Sequence, residues 1–336
     1  MRKGLIFAAL LLPSCLPTET GSVVIGSSQS ASAPPSESSA SPFSLPVITH
    51  PETMLVRAER LLTQASPSGE SERIREILWA DGQGAFRLDV DAFSAYASGP
   101  LNPPPPLLVA SYRDRQRYLI RFRDIRLGLP EIVHKNWVWE TLPDTYALAG
   151  VACTQHRATS RHGFGTVTLQ VNPANSVLMG WEILDGRGEL IRRLETTTLD
   201  FNPDVSSIVW SSAVAAERDW EEGDEALLGV TPLQARYLPP GFAFTSERLV
   251  EASQSLSGVP DIHFQVSSDG LLPLIIAQHQ AQNASGGGAP GEIETARWSR
   301  YGGIQVVEGQ IAGRQAYLVS TLEPDELLAV FGSLLP

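Results

Sequence analysis

Apolar positions recur along this chain with two different periods. From His50 to Ala65, Leu55, Ala58, Leu61 and Leu62 stand three or four residues apart, with Arg57, Glu59 and Arg60 between them, which predicts one apolar stripe on a helix. The cluster Ser66-Pro67-Ser68-Gly69 breaks it. After that the period is two. Phe86, Leu88 and Val90 alternate with Arg87 and Asp89; Tyr118, Ile120 and Phe122 with Arg117, Arg121 and Arg123; Val167, Leu169 and Val171 with Thr168 and Gln170. These are strands wet on one face. Asp81-Gly82, Asn172-Pro173 and Asp185-Gly186 mark turns between them, so neighbours are expected to pair as antiparallel hairpins in one large sheet. A helix followed by many such strands predicts an α+β fold.

Three stretches interrupt this pattern. Gly99 to Pro106 holds four consecutive prolines and is expected as a stiff extended loop. Residues 16–45 are dominated by Ser, Pro, Thr, Ala and Gly and contain too few apolar side chains to offset chain entropy, which predicts a disordered tether. Residues 216–230 crowd Glu217, Asp219, Glu221, Glu222, Asp224 and Glu225 together, and like charges stay wet, so this reads as an acidic linker. The organisation expected is therefore a large domain at 46–215 and a smaller one at 231–336. The smaller one has strands around Ile262 to Val266, Leu272 to Gln278, Ile304 to Val307 and Gln315 to Val319, with a Gly-rich loop at Gly286 to Gly291. It closes with a helix: Pro324 suits the first helical position, Asp325 and Glu326 its positive end, and Leu327, Leu328, Phe331, Leu334 and Leu335 its buried stripe.

The N-terminus sets the compartment. Met1-Arg2-Lys3 is followed by an apolar run from Gly4 to Leu12 and then Pro13-Ser14-Cys15, the basic, apolar, small-residue order of a signal peptide over residues 1–15. The run is too short to span a roughly 30 Å hydrocarbon core. Leu12-Pro13-Ser14-Cys15 resembles a bacterial lipobox, which implies acylation of Cys15 and association with a membrane through a lipid anchor; an ordinary signal peptide cut a few residues later is the alternative. With Cys15 modified or removed, Cys153 has no partner, and a core drawn from the 43% apolar composition must hold the fold. The net charge of −12, with arginines interleaved among acids, speaks against a nucleic-acid partner.

Chemistry is sparse. The chain has no Gly-x-Ser-x-Gly elbow, phosphate loop, His-Glu-x-x-His or Cys-x-x-Cys, and no cofactor is expected. Cys153, His156 and His162 carry good zinc donors, but their spacing matches no common site; a buried thiol with two surface imidazoles is the plainer reading and no metal is expected. Asp81, Asp89, Asp91 and Asp269 lie in or beside turn signals, where Asp caps its own backbone. The aromatics are more informative. Trp79, Trp137, Trp139 and Trp181 fall in predicted strands, with Trp137 and Trp139 on one face. They either pack the core or, with Phe86, Leu88, Tyr118, Ile120, Phe122 and Leu169, line a pocket for an acyl chain or greasy peptide.

The segments Ile77 to Leu88, Ala149 to Ala152, Val167 to Pro173 and Gly180 to Leu190 are similar to lipoprotein-carrier-like domains as they occur in the MucB/RseB family. In the C-terminal half Tyr237-Leu238-Pro239-Pro240-Gly241-Phe242 and Ser267-Ser268-Asp269-Gly270-Leu271 resemble two further motifs of that family. The resemblance implies a large, curved, antiparallel half-barrel (LolA-like) with helices, followed by a smaller α+β C-terminal domain. It also implies a non-enzymatic periplasmic or membrane-tethered regulator, which binds lipid or lipoprotein and the exported part of an anti-sigma factor. A carrier or chaperone of lipidated cargo in the cell envelope is the competing expectation.

Overall fold

The computed structural model describes residues 44–65, 71–83, 85–91, 125–210, 217–250, 261–281, 293–301 and 304–335. Signal peptide, Cys15, nearly all of the tether, the proline-rich stretch, the Gly-rich loop and the strand expected at Tyr118 to Phe122 lie outside them.

The helix expected at His50 to Ala65 is a correction. The chain makes a single 3-10 turn at Pro51–Thr53 and then strand β1, Leu55–Ala65. Val56, Ala58, Arg60, Leu62 and Gln64 point inward and are buried. This is an alternation with two polar members, interrupted only where Thr63 is buried as well, and those two hid it among the helical spacings. Partners on both sides then decide the matter: β1 pairs along its whole length with β2, Ser71–Asp81, and along its centre with β9, Leu190–Asp200.

Between these lie β3 (Phe86–Asp91), α1 (Pro130–Asn136), β4 (Trp137–Thr141), β5 (Tyr146–Leu148), β6 (Val151–Ser160), β7 (Thr166–Val171) and β8 (Leu178–Leu184). All join one nine-stranded antiparallel sheet in the order β3-β2-β1-β9-β8-β7-β6-β4, with β5 on β6. Among the described residues β3 and β4 do not pair with each other, so the sheet stays open, a half-barrel and not a closed one. Its turns are capped as expected. Asp81 Oδ1 accepts from the amides of Gln83 and Ala85, Asn172 Oδ1 from Ala174, and Asp185 Oδ1 from Arg187 and Glu189. Asp89 and Asp91, expected beside turns, lie within β3 instead, where Asp89 pairs with Arg87.

The second sheet has seven strands in the order β10-β12-β13-β14-β17-β16-β15. They are β10 (Glu217–Asp219), β12 (Ala243–Val250), β13 (Ile262–Ser268), β14 (Pro273–Gln280), β15 (Ile293–Tyr301), β16 (Ile304–Ile311) and β17 (Arg314–Ser320). The acidic stretch expected as a linker thus contains an edge strand, β10, and a helical turn, α2 (Glu225–Leu228). Arg218 explains why its carboxylates tolerate order: the guanidinium donates to both oxygens of Asp224, at 2.7 and 2.6 Å. The closing helix α3, Pro324–Gly332, buries Leu327, Val330 and Phe331 against the sheet. It is shorter than expected: Leu334–Leu335 forms strand β18 and pairs with β11, Gln234–Ala235. One buried apolar cluster runs from Leu62 and Trp181 in the first sheet to Leu318 and Phe331 in the second.

Candidate functional site

The inner face of the first sheet is built by cross-strand neighbours. Trp139 faces Ala158, Ala158 faces Val167 and Val167 faces Ile183; beside this row, Leu169 faces Trp181 and Trp181 faces Leu194. Trp137, Trp139, Leu169, Trp181 and Leu88 are buried in one cluster, and Phe86 packs against it half-buried. Trp79 stands apart, half-buried, with the Arg57 guanidinium 5.1 Å from its ring centre. Tyr118, Ile120 and Phe122 lie outside the described residues.

Polar groups share this interior. Arg60 and Glu76 form an ion pair of 3.1 Å with side chains 2% and 0% exposed. Glu52, carried by the 3-10 turn, accepts from Arg126 through Oε1, while its buried Oε2 has no hydrogen-bond partner. The Trp181 Nε1–H is likewise buried and unpartnered. Both residues line a cavity of about 10 Å³ together with Arg60, Leu194 and Thr196, a space of roughly one water molecule. A larger cleft, about 350 Å³, opens where the segment before the 3-10 turn crosses the sheet. It is lined by Leu45, Pro46, Thr154, His156, Val171 and Asn172 among others and contains none of the ten aromatic and aliphatic candidates.

Where the two sheets meet, the contacts are specific. Asn136, at the end of α1 and 1% exposed, donates through Nδ2 to the carbonyls of Gly241 at 2.8 Å and Asp269 at 3.0 Å. Its Oδ1 must then accept, so His162 Nε2, 3.1 Å away, carries the proton. Burial lowers the pKa of His162 and the nearby Lys135 and Arg161 add to this, which keeps the ring neutral and suited to that role. Trp137 Nε1 donates to the Asp269 carbonyl at 3.3 Å, and the Gly128 amide to the Gly270 carbonyl at 2.8 Å. Two glycines make the approach feasible. Gly241 has φ +85° and a Cβ there would lie 2.7 Å from Asn136 Oδ1; Gly270 has φ +104° and a Cβ would lie 3.0 Å from the Val133 backbone.

Asp269 sits at the centre of this junction with 1% exposure. Its Oδ1 accepts from the amides of Leu271 at 3.0 Å and Leu272 at 2.8 Å, and its Oδ2 is buried without a partner. Burial raises its pKa to about 6 against the pull of those hydrogen bonds. The residues of this junction were not foreseen as a unit. The only hint was that both C-terminal motifs end in glycine-bearing turns.

The structure does not assemble Cys153, His156 and His162. Cys153 is buried among Leu148, Val177 and Met179, and desolvation raises its thiol pKa. His156 is three residues further along the same strand, which places it on the opposite face, where it contacts Thr141 Oγ1. His162 belongs to the junction. Among the described residues no group of three or more His, Cys, Asp or Glu is placed to hold a metal ion.

No protein-family model matches the chain, and no curated protein matches it. Among solved structures, the chain is similar to MucB. The complex of MucB with MucA(peri) shares 14% identity, with 84% of this chain and 93% of that chain covered and a TM-score of 0.49. The MucA/MucB complex of Pseudomonas aeruginosa gives 13%, 84%, 93% and 0.49 for the same quantities, and MucB alone gives 12%, 85%, 94% and 0.48.

Proposed function

We propose that this chain is an exported, non-enzymatic binding protein that regulates a partner at the cell envelope. Its two domains, 46–215 and 231–336, have separate tasks: the first takes up an acyl chain or lipoprotein, and the second, or the junction, holds a protein such as the exported part of an anti-sigma factor. One observation supports this reading above others. The two C-terminal segments that carry the family resemblance, ending in Gly241-Phe242 and in Asp269-Gly270-Leu271, are both spent on the contact with α1 of the first sheet. A protein that reports a ligand on one sheet to a partner on the other needs such a specific contact between them, whereas an enzyme would place its motif residues at a reacting centre.

The test is a titration of the purified mature protein with the exported segment of an anti-sigma factor from the same genome, with and without lipoprotein fragments. The expected result is a dissociation constant that lipoprotein shifts at least fivefold. No binding under either condition overturns the reading. The anchor is tested separately by mass spectrometry of the mature N-terminus. A diacyl or triacyl mass on Cys15 is expected for a leashed regulator; an unmodified start beyond residue 15 favours a mobile carrier of lipidated cargo.

A further inference from the structure

The junction contains a buried acid that the fold does not need in its charged form. Asp269 spends one carboxylate oxygen on two backbone amides of its own turn. The other oxygen is enclosed without a hydrogen-bond partner; the Trp137 indole, which donates to the backbone carbonyl of the same residue, favours the charged carboxyl only in part, and burial outweighs it. A carboxylate at such a place suffers the full loss of its hydration, while a carboxylic acid keeps the two amide bonds through Oδ1 and removes the charge. Hydrogen bonds from the Leu271 and Leu272 amides and the Trp137 indole offset the charge in part, and among the described residues no cation adds to them. The charged and titratable side chains on the packed elements are Glu131, His134 and Lys135 of α1 and Arg161 of the β6–β7 turn, all exposed, and His162 of that turn, whose ring nitrogen is engaged with Asn136 and is held neutral by desolvation; Arg126, on the segment before α1, is engaged with Glu52. No cation contacts Asp269 among the described residues.

We propose that the contact between the two sheets is an acid-tightened clasp, in which a proton on the Asp269 side chain holds the β13–β14 turn against α1 and its loss loosens that turn. The sign follows from linkage. The closed junction binds the proton more tightly than an opened, hydrated one, since burial raises the acid above its ordinary range, to about 6. Closure is therefore favoured on the acid side and weakens as pH rises between the ordinary aspartate value near 4 and that of the closed form. From pH 5 to pH 7.5 the opening equilibrium should grow about tenfold, with most of the change complete by pH 6.5. The clasp is independent of which ligand or partner the protein binds.

Amide hydrogen exchange on the intact mature protein reads this directly, through the amides of Gly128, Leu271 and Leu272, whose acceptors are Gly270 O and Asp269 Oδ1. After correction for intrinsic rates, their protection should fall about tenfold from pH 5 to pH 7.5 in the wild type and stay flat in Asp269→Asn, while amides of β8 remain unchanged in both. Equal pH dependence in wild type and Asp269→Asn overturns the proposal. Should that variant fail to fold, a carboxyl ¹³C titration of wild-type Asp269 decides: a midpoint above 5.5 supports the clasp, and one below 5.5 overturns it.

Discussion

Glu76→Leu is expected to lower the unfolding free energy by about 3–5 kcal/mol, among the largest losses any single substitution in the first sheet should produce. The reason is the environment of the residue it leaves behind. Arg60 and Glu76 face each other across β1 and β2, at the register position Arg60↔Glu76, with neither side chain open to solvent. Removing the carboxylate leaves a permanently charged guanidinium buried without that counter-ion, and a charge in such a place costs several kcal/mol because hydration is not restored. Removing both charges is a different matter. The double variant Arg60→Met/Glu76→Leu should recover most of the loss, since a well-packed apolar pair avoids two desolvation costs at once. Urea unfolding of the three proteins measures this. A single-variant loss below about 1 kcal/mol would mean that water reaches Arg60 in the native state, and with it that the inner face is wetter than its burial implies.

The same pair explains what was and was not legible in the sequence. Strands whose inner face is wholly apolar, such as Val167-Leu169-Val171, declare themselves by alternation, and the capping aspartates at 81 and 185 declare their turns. β1 does not, because Arg60 and Gln64 occupy inward positions and leave Leu55, Ala58, Leu61 and Leu62 at spacings that imitate a helix. Inward polar residues are tolerated only where a partner far along the chain receives them, and sequence spacing carries no record of that partner. The closing helix shows the local version of the same limit. Leu334 and Leu335 continue the helical stripe in sequence but leave it to pair with Gln234 and Ala235, a contact about 100 residues away. The junction was invisible for a third reason. Asn136, His162, Gly241 and Asp269 are ordinary residues one at a time, and only the fold shows that one amide side chain serves two carbonyls and an imidazole.

This distribution of polar groups bears on the proposed division of labour. The first sheet places its charges deep, at Arg60, Glu76 and Glu52, and its aromatic mass alongside them, so ligand entry there must contend with groups that resist change. The second sheet meets it through main-chain carbonyls held by one amide and one indole. These polar contacts are directional, and they lie over an apolar cluster that both sheets share, so a modest change in free energy loosens the β13–β14 turn without parting the sheets.

Trp181→Ala should cost about 3–5 kcal/mol, and this measurement separates the two readings of the tryptophan cluster. The indole is 0% exposed and set between Leu169 and Leu194, with the Arg192 guanidinium 5.8 Å from the ring. Truncation removes its transfer free energy and leaves a void that strands paired on both sides cannot close. Trp181→Phe should cost far less, below about 2 kcal/mol, because the Nε1–H it deletes has no acceptor and most of the ring volume is kept. Trp79→Ala, at a half-buried ring stacked under Arg57, should fall near 1 kcal/mol. The contrast is what matters. A wall of a standing pocket is already unpacked on one side, so its truncation forfeits fewer contacts, and a loss at Trp181 as small as that at Trp79 would place the indole on such a wall. A full core penalty instead means that any acyl chain admitted beside Trp181 must displace packed side chains as it enters, and uptake of ligand then necessarily strains the strand order that runs from β8 through β9 to β1.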